Sequence, residues 1–397
     1  MRRMNKSNPN ITKKVLPILV GIIFLVLLAV GMSIDSAQFQ NLDDQSRAEP
    51  YIELAPLEGE QYLVGDIVVE WLKGEENGAE LYHKFTQRAK VYTAKPVTLR
   101  YTIYDIPHNV NVLSQQVELS EEDSMKNAKC FALSGDKRSI TFEHLYTGKT
   151  YYYCITAYLS DGSEISARSQ FETADTPRII STEGVWNMRD IGGVKTLAGK
   201  KLKQGLVYRG VELDGAVFNR YCITENGAKV LTEELGISTE IDLRGEKENM
   251  KDALGPDVVH KVYPSVYAYS DSLIPVYLEN YRQLFSDLAK EENYPVYIHC
   301  SYGKDRTGTV VFLLQLLLGV SEEDAYKEWE LSVLLDGVLD YELMEDYINA
   351  LYELEGDTLQ EKVENHFLSC GVTKEEIESI RRILIENYDS NNTEIDQ

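Results

Sequence analysis

The 397-residue sequence predicts three parts in series: a transmembrane helix, an all-β sandwich and an α/β domain with a mostly parallel central sheet. Three observations indicate this fold class. An uncharged apolar run lies near the N-terminus, short alternating runs rich in Val, Ile, Thr and Tyr follow it, and strand-like runs then alternate with helical ones. The predicted boundaries are 1–14 for a basic tail, 15–34 for the transmembrane helix, 35–50 for a linker, 51–175 for the sandwich and 176–397 for the α/β domain.

The apolar run at 15–34 is long enough for a membrane-spanning helix, which needs about twenty residues. Five Lys and Arg residues precede the run, and three Asp residues follow it within ten positions. By the positive-inside rule, the N-terminus stays in the cytoplasm and the rest of the chain lies outside the cell membrane. The alternative is a signal peptide cleaved after small residues at 29–31, which would give a secreted protein.

The composition is that of a folded, acidic protein. Hydrophobic residues make up 43% of the chain and charged residues 26%, which are values typical of globular proteins. The net charge of −24 argues against nucleic acid as a partner, because the protein would repel its phosphates. The five cysteines include no CxxC pair, so we expect no zinc site and no disulfide-rich scaffold. A single disulfide between Cys130 and Cys154 remains an alternative.

Residues 51–175 consist of strand-like segments separated by turns such as SGDK, TGKT and SDGS. Strands at this spacing without helices indicate a β-sandwich. The segment 144–177 resembles the C-terminal half of a fibronectin type III module, and Trp71 would then be the core tryptophan of an early strand in the segment DIVVEWLKG. On this basis residues 74–92 are an insertion, and the sandwich is either a spacer or a binding module.

Beyond residue 176 the segments GLVYRG, STEIDLRG, HKVYPSV and VYIHC are predicted strands, and helices are predicted near 225–235 and 274–289. This alternation implies a mostly parallel sheet covered by helices. The last helix is expected to begin at Thr373, with Glu376 completing a capping box.

The stretch YIHCSYGKDRTGTVVFLLQLLLG, residues 297–319, joins an apolar strand to an apolar helix. The backbone N–H groups of the tight turn between them, together with the helix N-terminus, form an anion-binding cradle. Cys300 lies at its base and Arg306 at its rim, which is C-x5-R spacing. A thiolate among backbone donors is a strong nucleophile, and a guanidinium can bind two phosphoryl oxygens at once.

The remaining loop residues are candidate substrate-binding groups. Gly303 allows close approach of the backbone, and Thr307 can donate a hydrogen bond to the sulfur. Ser301 and Tyr302 contribute to the turn. Lys304 is either a second cation at the rim or a solvated loop lysine. His299, just before the cysteine, is expected to fix the loop through hydrogen bonds.

The motif HCSYGKDRTG resembles the HCxxGKDRTG signature of bacterial tyrosine phosphatases that also act on phosphoinositides. The segments NMRDIGG, GLVYRGVEL, LGISTEIDLRGEKE and CGVTKEEIESIRRIL are similar to the same family pattern, so the resemblance covers about residues 178–388. It implies that Cys300 attacks phosphorus to give a cysteinyl-phosphate, which water then hydrolyses. It also implies that no metal or other cofactor is needed.

Three carboxylates are candidates for the general acid. Asp305 lies inside the loop and is either the acid or a structural brace; we place it ahead of Asp242, which ends a strand. Asp190 is expected to hydrogen-bond a turn instead. Three arginines, Arg189, Arg209 and Arg244, are expected to brace the loop or bind substrate, and Arg189 is the one assigned to substrate. Tyrosines at 263–269 form a lid or pack against the following helix.

The leading hypothesis is a membrane-anchored phosphatase that hydrolyses phosphotyrosine, and also phosphoserine or phosphothreonine, in proteins. A phosphoinositide or inositol-phosphate phosphatase would share every catalytic residue. A cell-surface binding protein that uses its β-sandwich is the alternative from another class. The predicted partners are therefore a phosphorylated protein or phosphoinositide and, through the N-terminal helix, the membrane. The oligomeric state is not fixed by the sequence.

Overall fold

The protein was analysed as a computed structural model, which describes residues 49–74, 77–85, 93–245, 251–264 and 266–389. Seven strands in the first part form two antiparallel sheets, with strand orders β1-β2-β5 and β4-β3-β6-β7. These strands are β1 Tyr51–Leu54, β2 Val97–Tyr104, β3 Val112–Ser120, β4 Lys129–Ser134, β5 Ser139–Phe142, β6 Thr150–Leu159 and β7 Glu164–Glu172.

The two antiparallel sheets share one hydrophobic core. Alternate residues of β6, from Tyr151 to Leu159, are buried, as the period of two in a half-buried strand requires. They pack together with Val97, Leu99 and Tyr101 of β2, which belongs to the other sheet. Burial of these apolar faces from water holds the sheets together.

The prediction of an all-β unit is wrong, because two helices lie between β1 and β2. They are α1, Asp66–Leu72, and α2, Gly78–Phe85. The predicted strand DIVVEWLKG is largely α1, and its buried residues Ile67, Val68 and Trp71 lie on one helix face. Trp71 packs outside the sheet core, against residues 331–334 of the second part. The resemblance to a fibronectin type III module stays a prediction.

The predicted membrane-spanning helix is also corrected. Within the described ranges, no helix is both long enough and apolar enough to cross a membrane. The buried helix Asp305–Leu317 has 13 residues and is about 20 Å long, whereas the hydrocarbon core is about 30 Å thick. The segment 15–34 lies outside the described residues. The predicted single-pass membrane location with an outward-facing catalytic domain is therefore withdrawn.

The second part is built on a six-stranded sheet with strand order β12-β11-β13-β10-β9-β8. Its strands are β8 Arg178–Ile179, β9 Arg189–Asp190, β10 Val207–Gly210, β11 Thr239–Asp242, β12 Val259–Val262 and β13 Val296–His299. Strands β10 to β13 pair in parallel, whereas β8 and β9 pair antiparallel at one edge. The predicted mostly parallel sheet is therefore a mixed sheet, because short β8 and β9 follow one another through a tight turn.

Seven helices cover this sheet within the described residues. They are α3 Glu225–Lys229, which continues as the π-helical turn Val230–Glu234, α4 Leu278–Leu288, α5 Asp305–Leu317, α6 Glu322–Glu330, α7 Tyr341–Tyr352, α8 Leu359–Ser369 and α9 Lys374–Leu384. Single 3-10 turns occur at Tyr269–Leu273, Pro275–Tyr277, Glu291–Asn293 and Leu331–Leu335. The capping box predicted for α9 at Thr373 and Glu376 is confirmed.

Helix α5 lies at the centre of the second part. Every residue from Thr307 to Leu317 is buried, which explains why its sequence has no polar face. The helix packs in one core with β13, α4, α7, α8 and α9. This packing fixes the position of the first turn of α5, which follows the loop 300–304.

Arg178 joins the two parts of the chain. Its side chain is 3% exposed. It donates hydrogen bonds to the carbonyl oxygens of His144 and Leu145 in the first part, at 2.6 and 3.1 Å, and to Oδ2 of Asp190 at 2.8 Å. Arg178 therefore ties a turn of the β-rich part to the edge of the mixed sheet.

All five cysteines are free thiols. The possible Cys130–Cys154 bridge is excluded by the pairing of the strands, because Glu118 of β3 lies opposite Cys130 on one side and opposite Cys154 on the other. Two strand spacings, roughly 9.6 Å, separate the two cysteines, and a disulfide needs Cα atoms within about 7 Å.

Candidate active site

The loop 300–304 leaves the carboxyl end of β13 near the middle of the mixed sheet. Parallel strands β10 and β11 flank β13, and such positions in open α/β sheets collect functional groups. Cys300 is the first loop residue and is 3% exposed. Asp305 begins helix α5, so the N-terminal end of a buried helix faces the same loop.

The loop turns its carbonyl groups toward the protein. The oxygen of Ser301 accepts from the backbone N–H of Glu212 at 3.4 Å. The oxygens of Tyr302 and Gly303 accept from Nδ2 of Asn187 at 3.3 and 3.2 Å. Within the described part of the chain, the backbone N–H groups of 301–304 have no acceptor. These amides can therefore donate to an anion bound above Cys300.

Arg306 lies across the loop from Ser301. Its Nη2 donates to Oγ of Ser301 at 3.2 Å, and its Nη1 donates to the carbonyl oxygen of Leu243 at 3.0 Å. These bonds hold the planar guanidinium at the rim of the loop. Thr307 is fully buried, and its Oγ1 has no hydrogen-bond partner among the described residues. A hydroxyl in this position can donate to a thiolate.

Gly303 is required by the shape of the loop. Its φ of +64° lies in the left-handed region, which side chains with a Cβ rarely adopt. A Cβ at this position would lie 2.1 Å from the carbonyl oxygen of Gly210. The close contact between these two backbones brings the loop against the end of β10.

Two buried arginines brace the loop from behind. Arg209 donates to the carbonyl oxygen of Gly303, and both Arg209 and Arg189 are ion-paired with the carboxylate of Glu328, at 2.8 and 2.6 Å. Arg189 is 1% exposed. It also donates to Oδ1 of Asn187 at 2.7 Å. These contacts argue against the assignment of Arg189 to substrate binding, because its guanidinium is committed to internal partners and shielded from solvent.

The side chain of Lys304 is engaged by partners within the protein. Its Nζ is ion-paired with Asp336 and donates to the carbonyl oxygen of Val338 at 2.9 Å, and the residue is 6% exposed. The structure therefore argues against Lys304 as a second substrate-binding cation. Its contacts attach the loop to the segment between α6 and α7.

Asp305 is the one of the three carboxylate candidates that lies at the loop. Its Oδ1 accepts a 2.6 Å hydrogen bond from the hydroxyl of Tyr269. Burial, and then the charge of Asp305, raise the pKa of Tyr269, so this hydroxyl stays a donor at neutral pH. Asp190 instead accepts from the backbone N–H groups of Gly192 and Gly205, at 2.8 and 2.5 Å, as expected for a residue that fixes a turn.

Asp242 is held as a carboxylate. It is fully buried and ion-paired with Arg244 at 2.7 Å. Burial alone would raise the pKa of Asp242, but His299, His260 and Arg244 together hold it well below the usual value. These contacts argue against Asp242 as the catalytic acid and make it the ionised centre of a charged network beneath the loop. Arg244 extends that network to Glu212 and Asp214, each at 2.7 Å.

His299 connects this network to the loop. Its Nε2 lies 2.9 Å from Oε1 of Glu240, and its Nδ1 lies 3.3 Å from the carbonyl oxygen of Cys300. Burial opposes the charge of His299, but Asp242 and Glu240 raise its pKa. Glu240, Asp242 and His260 also have ligand atoms within 4.8 Å of one another. Because Arg244 and His260 already pair with Asp242, these side chains are better described as an ion-pair network than as a metal centre.

Aromatic rings lie beside the loop. The ring of Tyr302 is 4.2 Å from that of Phe218 and 6.0 Å from that of Tyr221, centroid to centroid. We call these three residues the aromatic rim. Of the predicted lid tyrosines, Tyr263 and Tyr269 are buried, whereas Tyr267 is 40% exposed. The lid segment is thus packed against the body of the protein through two of its three rings.

Several residues of the site were not predicted. Asn187 lies in the motif NMRDIGG, so its proximity to the loop could have been suspected from that segment. Glu328, Ser332 and Asp336 carry no comparable signal, because they lie in ordinary helical and turn sequence. Tyr269 was noted only as a lid residue, although its φ of +53° marks an unusual backbone position.

Comparisons with known proteins find similarity in the second part of the chain. Residues 180–386 match the model of the "Tyrosine phosphatase family". A "Putative tyrosine-protein phosphatase" of Cupriavidus necator is 25% identical over 170 residues, which cover 36% of this chain and 59% of that protein. The chain thus spans about three fifths of the curated relative.

Two solved structures show weaker similarity to less than half of this chain. TpbA of P. aeruginosa is 16% identical, with a TM-score of 0.28, and the match covers 43% of this chain and 90% of that one. The core catalytic domain of the PP-IP phosphatase SIW14 from S. cerevisiae is 13% identical, also with a TM-score of 0.28, and the match covers 42% and 93%. Every residue of the loop and of its braces lies within residues 180–386.

Proposed function

The chain belongs to the tyrosine phosphatase family, whose model matches more than half of its residues, and we propose that it hydrolyses phosphotyrosine in proteins through a cysteinyl-phosphate. The observation that carries the proposal is the arrangement of the loop. The N–H groups of 301–304 have no acceptor within the described chain, the thiol of Cys300 lies at the base, and Arg306 is fixed at the rim. Such a bowl stabilises the three equatorial oxygens of a transferring phosphoryl group.

The proposed reaction has two steps. Cys300 attacks phosphorus in line, the bond from phosphorus to the tyrosyl oxygen breaks, and a carboxylic acid protonates the leaving phenolate. A water molecule then attacks the cysteinyl-phosphate, loses its proton to the same carboxylate and releases phosphate with the thiolate. We assign the acid to Asp305, because it is at the loop and its Oδ1 is held by Tyr269, which leaves Oδ2 for proton transfer.

Three observations support a phosphoaryl substrate over an inositol polyphosphate. Two rings of the aromatic rim, those of Tyr302 and Phe218, are half-buried beside the loop, and a phosphotyrosine ring can pack on them. Lys304, the second cation of the loop, is engaged by Asp336 and so adds no charge for a second phosphate. The net charge of −24 also disfavours a polyanionic ligand at long range.

The test compares three substrates: p-nitrophenyl phosphate, a phosphotyrosine peptide and inositol hexakisphosphate. We expect turnover of the first two, with kcat/KM for the peptide well above that for inositol hexakisphosphate. Cys300→Ser should lower kcat on the order of 10⁴-fold or more, because it removes the nucleophile. The matched control is Cys222→Ser, which changes an exposed cysteine outside the site and should leave kcat unchanged.

Two outcomes would contradict the proposal. Full activity of Cys300→Ser would exclude the covalent mechanism. A higher kcat/KM for inositol hexakisphosphate than for the peptide would keep the mechanism but replace the substrate class. A peptide carrying phosphoserine in place of phosphotyrosine, assayed in parallel, measures how far the aromatic leaving group matters.

A further inference from the structure

A short segment connects the phosphate-binding loop to the N-terminal part of the chain. Residues 331–338 join α6 to α7, and we call them the strap. They begin with the 3-10 turn Leu331–Leu335. One face of the strap contacts the side chains that hold the loop, and the other face packs against helices α1 and α2.

The loop-facing side of the strap is polar. Ser332 is fully buried, and its Oγ accepts hydrogen bonds from Arg189 at 3.0 Å, from Arg209 at 3.3 Å and from Nδ2 of Asn187 at 3.3 Å. Arg209 and Asn187 in turn donate to the carbonyl oxygen of Gly303. One hydroxyl of the strap therefore orients the side chains that hold the Gly303 carbonyl turned toward the protein.

The C-terminal end of the strap makes a second connection to the loop, at Lys304. Asp336 is ion-paired with Lys304, whose Nζ also donates to the carbonyl oxygen of Val338 at 2.9 Å. The strap thus reaches two successive residues of the loop, Gly303 indirectly through Arg209 and Asn187, and Lys304 directly through Asp336. A shift of the strap would move both anchor points together.

The opposite side of the strap is apolar and faces α1 and α2. Leu331, Val333 and Leu334 are at most 1% exposed and share one hydrophobic cluster with Trp71 of α1 and Leu81 of α2. The fit is tight at two glycines. A Cβ on Gly78 of α2 would lie 2.2 Å from Cγ1 of Val333, and a Cβ on Gly337 would lie 2.5 Å from Cδ1 of Tyr82.

We propose that helices α1 and α2 position the phosphate-binding loop through the strap, with Ser332 as the positioning residue. The N-terminal β-rich part then does more than hold the second part at a distance, because its inserted helices set the geometry of the site. Close-packed interiors transmit such displacements. A loop whose amides must converge on one anion is sensitive to shifts well below 1 Å. This inference rests on the proposed phosphatase function.

The test is a double-mutant cycle at the contact between Gly78 and Val333, made in the full chain. Gly78→Ala adds one methyl group that must push Val333, and hence the strap. Val333→Ala alone removes Cγ1, the atom with which the added methyl group would clash. In the double variant the new methyl group would lie 3.6 Å from Cβ of residue 333, which is ordinary contact. The control is Glu80→Ala, which changes an exposed residue of the same helix.

The readouts are kcat and KM for p-nitrophenyl phosphate and the competitive inhibition constant of inorganic phosphate, with thermal unfolding measured in parallel. We expect Gly78→Ala to weaken phosphate binding and lower kcat/KM, each by about tenfold. The double variant should recover most of this loss, and Glu80→Ala should behave as the parent does. Ser332→Ala should reproduce the loss in phosphate affinity without any change in the apolar contact.

Three outcomes are distinguishable. Inactive parent protein that also fails to bind phosphate would refute the proposed function itself. If the parent is active, and Gly78→Ala lowers only the unfolding temperature while phosphate affinity and kcat/KM stay unchanged, the helices merely stabilise the fold and our inference is wrong. Equal losses in Gly78→Ala and in the double variant would also overturn it, because the effect would not pass through Val333.

Discussion

The hydroxyl of Tyr269 donates a 2.6 Å hydrogen bond to Oδ1 of Asp305. This contact joins the segment after β12 to the first residue of α5. Tyr269 is 6% exposed, and its backbone N–H also donates to Oγ1 of Thr309 at 2.9 Å. Tyr269 is therefore held at its backbone N–H and at its hydroxyl. Its position determines where the Asp305 carboxyl lies relative to the loop.

The first prediction concerns Asp305 as the general acid. Asp305→Asn should lower kcat by about 10²-fold on phenyl phosphate, and by less on p-nitrophenyl phosphate, since the better leaving group needs less protonation. Tyr269→Phe should lower kcat on phenyl phosphate by about tenfold, as expected for a lost hydrogen bond to a charged group. Steady-state kinetics with both substrates measures the difference.

The matched control for this prediction is Tyr263→Phe. It removes a hydrogen bond of the same length, 2.6 Å, from a tyrosine to Asp287 on α4, and it should leave the leaving-group dependence unchanged. An equal loss on both substrates in Asp305→Asn would assign Asp305 to bracing the loop. Additive effects of Asp305→Asn and Tyr269→Phe would separate the two residues functionally.

The second prediction concerns stability at acid pH. The folded protein holds the pKa of Asp242 below its usual value, so the carboxylate stabilises the fold above the pKa of the unfolded chain, about 3.9. This stability is lost as pH falls below that value toward the folded pKa. Asp242→Asn should therefore cost about 3 kcal/mol at pH 7, the cost of breaking a buried ion pair, and should flatten the loss of stability below pH 4.

Chemical denaturation at pH 7 and at pH 3 to 5 checks this expectation. Asp257→Asn, at an exposed position of the same part of the chain, is the control and should follow the parent protein at each pH. Parallel pH dependence in Asp242→Asn and the parent would show that other carboxylates dominate acid unfolding.

The third prediction concerns Gly303. Gly303→Ala combines a strained φ of +64° with a Cβ placed 2.1 Å from the oxygen of Gly210, so the loop must change shape. We expect loss of phosphate binding and a fall in kcat of at least about 10²-fold. Gly162→Ala shares the left-handed backbone, with φ of +88°, but has no atom within 4 Å of the added Cβ. It should cost only about 1 kcal/mol of stability and leave kcat unchanged.

Near-normal kcat in Gly303→Ala would mean that the close approach of the loop to β10 is not needed for catalysis. Isothermal titration with inorganic phosphate separates a loss of binding from a loss of turnover.

The fourth prediction concerns Arg178, which joins the two parts of the chain. Arg178→Ala leaves Asp190 buried beside the gap and should lower the free energy of unfolding by about 3 to 5 kcal/mol. Arg168→Ala is the control, since its ion pair with Asp123 involves side chains that are 45% and 76% exposed; it should cost less than about 1 kcal/mol. Urea denaturation measures both. Equal effects of the two substitutions would contradict the role given to Arg178.

Local sequence signals were sufficient to predict the positions of several strands and of the loop. The segments TYYYCITAYL and VYIHC contain strands β6 and β13 at the predicted positions, because β-branched and aromatic runs bounded by turn residues have few other stable conformations. The C-x5-R spacing predicted that Cys300 and Arg306 lie at one strand–helix junction, and both residues do lie at the loop between β13 and α5; their catalytic roles stay a proposal. The glycine at position 303 followed from the same turn.

The errors arose where distant contacts decide the structure. The segment DIVVEWLKG has the composition of a strand, yet its apolar residues fit a helix that packs against the strap. Lys304 and Arg189 are cations in suggestive motifs, but Asp336 and Glu328, 32 and 139 residues further on, neutralise them. No pattern in the neighbouring sequence predicts that these distant carboxylates are the ion-pair partners. The environment of Asp242 could not be predicted for the same reason, because His260 and His299 come to it from strands β12 and β13.

The packing of the strap against α1 and α2 also bears on how the protein can be divided. A fragment that starts at residue 176 would contain every residue of the loop, yet it would expose Leu331, Val333 and Leu334 to water. Exposing each such side chain to water costs about 1.5 to 3 kcal/mol of folding free energy. Three neighbouring ones form an exposed hydrophobic patch that promotes aggregation. Expression trials of the second part should therefore retain the whole β-rich part with α1 and α2, or replace these three side chains with polar ones.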